Sequence, residues 1–84
     1  MKIIPFLNIG FGEFAYPDHV LAVLSMESPR TRALARDRLA SGMASDMTNR
    51  RRRRSLIVAD SGHMIISFLR PKIVVAGIEL EEHQ

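Results

Sequence analysis

At 84 residues the chain has room for one domain and hardly more, since a chain this short buries only somewhat over about 60% of the surface its unfolded form exposes; a two-domain enzyme is excluded. Hydrophobic residues make up 46% and charged residues 25%, with five glycines and four prolines, which is the composition of a folded protein rather than a disordered tail or a collagen-like repeat. Zero cysteines exclude a disulfide scaffold, a thiolate zinc site and a thiol nucleophile, and the formal net charge of +3 rests on twelve bases of which ten are arginine.

Lys2 to Ile9 is β-branched and aromatic enough for a strand, with Pro5 restricting it to an edge or a bulge, and Gly10-Phe11-Gly12 ends it. Phe14 to Tyr16, then His19 to Met26 after Pro17-Asp18, form a second extended stretch. Within it Val20 to Leu24 is apolar on both faces, which predicts a central, buried strand. Ser28-Pro29 opens a helix by a side-chain cap and a preset φ, and Gly42 stops it. Leu34 and Leu39 on that helix point about 140° apart, which predicts two small apolar patches and contact with more than one neighbour.

Arg54 to Ala59 and Met64 to Leu69 are apolar runs joined by Asp60-Ser61-Gly62-His63, the pattern of a hairpin. Lys72 to Leu80 fits either a strand, from Ile73-Val74-Val75, or a short helix begun by Pro71. The expected fold class is α+β: a small, mostly antiparallel sheet with one principal helix and, on the second alternative, a short C-terminal helix. Residues 1–80 form the expected single domain and 81–84 a frayed acidic tail. No apolar run nears the ~20 residues of a membrane helix, and Met1 to Leu7 is too short for a signal-peptide core, so a cytoplasmic protein is expected.

The charge is unevenly spread. Residues 1–29 carry −2, residues 30–54 carry +7 from nine arginines and two aspartates, residues 55–78 carry +1, and the remainder carries −3. Arg50-Arg51-Arg52-Arg53-Arg54 is the strongest local signal. Five adjacent guanidinium groups repel one another, no acidic block in cis matches them locally, and arginine is the residue suited to bidentate phosphate contacts. Because the run feeds a strand, period-2 geometry sets Arg50, Arg52 and Arg54 on one face and Arg51 and Arg53 on the other. Five phosphates neutralised would give log K against log[salt] a slope of about −4.5, and face splitting about half of that.

Other constellations carry less. His19, His63 and His83 lie in different segments without ligand spacing, so no metal site is expected. Asp60, Ser61 and His63 contain the groups of a hydrolytic triad but sit too close together in one turn to orient one another; the chain is not read as an enzyme, and no cofactor or small-molecule substrate is expected. Gly10-Phe11-Gly12 lacks the third glycine of a nucleotide fingerprint. Phe11, Phe14 and Tyr16 cluster away from the arginines, so no base-stacking platform is indicated.

Four motifs, in order, resemble one family: Asn8-Ile9-Gly10-Phe11-Gly12, Glu27-Ser28-Pro29, Asp46-Met47-Thr48-Asn49-Arg50-Arg51, and Asp60-Ser61-Gly62-His63-Met64-Ile65-Ile66-Ser67. Together they resemble the RemA family of bacterial extracellular-matrix (biofilm) regulators, over most of the chain to about Ile78. The resemblance implies a DNA-binding transcriptional regulator assembled into rings with a basic rim. It carries DNA contacts to Arg51 and Arg52, and a further basic position to His19. The departures are Arg50 in place of a glycine, Glu13 in place of an asparagine and His19 in place of an arginine.

The reading is therefore a homo-oligomeric, double-stranded DNA-binding regulator. Arg50, Arg51, Arg52, Arg53 and Arg54 meet phosphate, with His19 by resemblance, and the helix residues Arg30, Arg32 and Arg36 are secondary contacts. The alternatives are a structural ring that binds an acidic protein, and an RNA-binding protein.

Overall fold

The computed structural model describes residues 7–10, 13–15 and 20–82. Strands β1 (Leu7–Gly10) and β2 (Glu13–Ala15) pair antiparallel, with Leu7 opposite Ala15 and a register irregularity between Asn8 and Gly10. The expected first strand is thus described only from Leu7, and His19 and His83 lie outside the described residues. The remaining elements are β3 (Val20–Ser25), α1 (Pro29–Ala40), β4 (Ala44–Asp46), β5 (Ser55–Ala59), β6 (Met64–Ser67) and α2 (Pro71–Glu82).

A four-stranded sheet runs β3-β5-β6-β4, antiparallel except for β4, which lies parallel to β6. Strands β3 and β4 point the same way, so β3–α1–β4 is a crossover unit into which the β5–β6 hairpin is inserted, a split βαβ arrangement. Strand alternation then separates two cores. Leu56, Met64 and Ile66 face α1 and pack with Met26 and Ala35, while Ile57 faces α2 and packs with Val74. Helix α1 contacts β4 and β6, and α2 contacts β3 and β1, so the sheet is covered on both faces.

Local chemistry explains the helix ends. Ser28, extended at φ −71°, accepts from the Thr31 amide at 3.5 Å, and Pro29 takes the first helical position. At the other end the amides of Gly42 and Met43 donate to the carbonyls of Leu39 (3.2 Å) and Arg38 (2.8 Å), the Schellman pattern, which requires the φ of +79° that Gly42 adopts.

The α+β class holds, with four corrections to the sequence reading. First, β3 is an edge strand of the four-stranded sheet rather than a central one. Leu21 bulges out of its pairing and is 68% exposed, and the bulge puts Val20 on the same face as Val23, toward Ile57 and Val74, while Leu24 packs against the other core. Second, Leu34 and Leu39 pack against the same cluster, because Thr31, Ala35 and Arg38 fill the arc between them and Ala35, fully buried, lets the helix sit close to the sheet. Third, α2 is a helix of 12 residues, as long as α1, that extends to Glu82 within the segment expected to fray. Fourth, the three residues of β4 went unread.

Candidate nucleic-acid interface

The arginine run is not an extended ribbon. Asp46, at the end of β4, starts a compact loop. Its Oδ1 accepts from the Thr48 amide at 2.9 Å and from the Thr48 hydroxyl, which buries Thr48. The Arg51 amide then donates to the Thr48 carbonyl at 2.9 Å, closing a turn whose central residues Asn49 and Arg50 have φ of +47° and +71°. Both positive angles define a type I′-like reversal, in which asparagine is at home and arginine is strained. Regular pairing resumes only at Arg54, whose amide and carbonyl join Ser67 and Met26, each at 3.0 Å.

Each arginine consequently has its own environment. Arg50 stands exposed on the turn. The Arg51 guanidinium lies 4.7 Å from the centre of the Phe68 ring, a cation–π contact that fixes its direction. Arg53 places Nε (3.0 Å) and Nη2 (2.7 Å) on Oδ2 of Asp46, so one member of the run does have an acidic partner. Burial pushes the Asp46 carboxyl up, but the Thr48 hydroxyl and amide and then Arg53 outweigh it and hold the group below its ordinary value. Asp46 therefore ties the turn and Arg53 together as one charged unit.

Arg52, Arg53 and Arg54 all line one open cavity of about 850 Å³, contrary to strict alternation between two faces. The turn resets the phase of the chain before the strand begins. Three further cations enter the cavity from other elements: Arg32 of α1, Arg70, and Lys72 in the first turn of α2. Arg32 is held there by Nη1, which donates to the carbonyls of Met26 (3.1 Å) and Glu27 (2.8 Å) at the β3–α1 corner. Among the described residues, Glu27 is the one acidic residue in the wall. The N-terminus of α2 opens at the same place, and no acidic side chain occupies its first turn, so the helix dipole adds to the positive potential.

Of the residues singled out from the sequence, the structure brings Arg32, Arg52, Arg53 and Arg54 together. Arg50 and Arg51 stand on the adjoining turn, and the exposed Arg30 and Arg36 lie outside the cavity wall. Arg70 and Lys72 were missed, since they sit far along the chain from the run, although two bases flanking Pro71 at a helix start are a readable sign. His63 shares a hydrogen bond of 2.9 Å with the Ser45 hydroxyl, joining the hairpin loop to β4. Among the described residues no group of His, Asp and Glu could hold a metal ion, and no helix is long and apolar enough to cross a membrane.

A four-stranded sheet covered by two helices, with six cations lining one recess, defines a small α+β protein with a basic cavity. The RemA-like family, described as extracellular matrix regulatory protein A-like, matches residues 6–76, and the chain belongs to it. It is 33% identical over 81 residues, 96% of this chain and 93% of the other, to a protein of Carboxydothermus hydrogenoformans. It is 36% identical to one of Synechococcus elongatus, over 86% of this chain and 83% of the other, and 33% identical to one of Bacillus velezensis, over 94% and 89%. All three bear the name "putative regulatory protein". A regulatory role is what family and relatives share.

Proposed function

We propose that this regulator binds double-stranded DNA through the cationic cavity and the turn beside it, and that it does so as a homo-oligomer. The observation that carries the reading is the convergence of Arg32, Arg52, Arg53, Arg54, Arg70 and Lys72, drawn from three separate segments, on one recess. A solvated charge run would leave its members pointing apart; here Asp46, Phe68 and the carbonyls of Met26 and Glu27 hold three of the arginines in place. Pre-set guanidinium groups lose little freedom when phosphate arrives. DNA placed on this face meets mostly backbone-directed donors, so affinity is strongly salt-dependent.

Self-assembly is supported by the exposed apolar side chains Leu21 on β3 and Ile73 and Val75 on α2, in a chain with two small cores. A closed ring would repeat the basic recess around its rim, and weak phosphate contacts would add through effective concentration. Control of extracellular-matrix genes, from a cytoplasmic, nucleoid-associated position, is the role we assign to it. Fluorescence anisotropy with a labelled duplex tests the site. Arg52→Ala/Lys72→Ala is expected to weaken binding about ten-fold or more at unchanged oligomeric mass, and Arg30→Ala/Arg36→Ala much less. Equal losses in the two variants would sink the assignment, and tighter binding of an RNA hairpin than of the duplex would move it to RNA.

A further inference from the structure

We infer that the cavity is also a receptor for a compact oligophosphate, the triphosphate chain of a nucleotide or its inorganic counterpart, whose binding competes with DNA. At about 850 Å³ the recess falls within the range of small-ligand sites. Its charge balance is specific. Asp46 neutralises Arg53, and the remaining five cations face the single carboxylate of Glu27, which leaves a net charge of +4. A triphosphate carries about −4 at neutral pH, since its terminal phosphate has a second pKa near 6.

Shape points the same way. A duplex is convex and spaces its phosphates along a rod, so it can offer such a hollow only part of the charge the hollow is built for, whereas an oligophosphate concentrates all of it. The positive end of α2 opens on the recess and favours phosphate oxygens through its dipole and the Lys72 amide, since Pro71 has no N–H and the Ile73 amide donates to the Arg70 carbonyl at 2.9 Å. Arg52, Arg54, Arg70 and Lys72 all line the recess and can reach the ligand, while Arg32 is already oriented by its two carbonyl acceptors. Met26 and Pro71 add apolar surface to the wall, against which a nucleoside could rest. The competition with DNA rests on the DNA-binding reading; the oligophosphate site itself does not.

The full chain, free of DNA, is titrated calorimetrically with sodium tripolyphosphate and, separately, with ATP. Saturation at one ligand per chain is expected, with affinity about ten-fold weaker in Arg52→Ala/Lys72→Ala and within about two-fold of the parent in Arg30→Ala/Arg36→Ala. Arg52 and Lys72 are exposed, and circular dichroism with native mass confirms that the variants fold. Binding without saturation, or equal weakening in both variants, would overturn the site whether or not the chain binds DNA. Tighter binding of ATP than of tripolyphosphate supports the site with a nucleoside contribution, and equal binding supports it for the phosphate chain alone. Release of a labelled duplex at the tripolyphosphate concentration that half-saturates the chain supports competition; an undiminished DNA affinity at saturation overturns it. Failure of the duplex to bind in the absence of oligophosphate counts against the DNA reading only.

Discussion

Ser55 and Ser67 face each other across β5 and β6, both fully buried, yet their hydroxyls differ. The Ser67 Oγ accepts from the Leu69 amide at 3.0 Å, whereas the Ser55 Oγ has no partner among the described residues. A buried hydroxyl without a partner costs desolvation that nothing offsets. Ser55→Ala is therefore expected to leave stability unchanged or raise it, and Ser67→Ala to lower it by about 1 kcal/mol, as read by urea unfolding. Equal losses would contradict this. Arg50 poses a second single-residue test. At φ +71° an L side chain is strained by roughly 1 kcal/mol, a cost that glycine does not meet. Arg50→Gly should raise the unfolding midpoint although it removes a cation; a fall would show that the charge matters more to the fold than the backbone angle does.

At the scale of elements, the loop between β4 and β5 is organised by Asp46. Because its pKa is depressed in the folded state, the stability it supplies is present above the unfolded value, near 3.9, and is lost as pH falls through the lower folded value. Asp46→Asn should thus be less stable than the parent at pH 7, by about 1 kcal/mol once the exposure of Arg53 is allowed for, and the gap should close in acid as the parent's carboxylate protonates. A gap that persists at pH 2 would contradict the assignment. The same loop marks where the sequence stopped being informative. The β5–β6 hairpin and α1 were legible because apolar periodicity, Ser28-Pro29 and Gly42 act locally. Strand β4 was not, since three residues carry no periodicity and its partner β6 follows only after another strand. The phase of the arginine run was misread because a strand was extended backwards through Asn49-Arg50, where an asparagine before a bulky residue conceals two positive φ angles. The edge position of β3 was hidden by an apolar run that a bulge redistributes.

For the whole molecule, four arginines of residues 30–54 and the two bases beside Pro71 meet at one recess, and only folding could add the second set to the first. The sequence made the basic stretch and Arg32 legible; it could not place Arg70 and Lys72 beside them, because that contact depends on α2 starting at the end of the sheet where the arginine run enters. In the proposed assembly, the exposed apolar residues on β3 and α2 would join protomers, multiplying the recess rather than enlarging it. The direct test is the salt dependence of duplex binding by the parent and by Arg52→Ala/Lys72→Ala, each at fixed oligomeric mass. Each cation that neutralises a phosphate contributes about 0.9 to the slope of log K against log[salt]. The account predicts that the double variant flattens the slope by about 1.8 for each recess engaged, and a slope identical to that of the parent would contradict it.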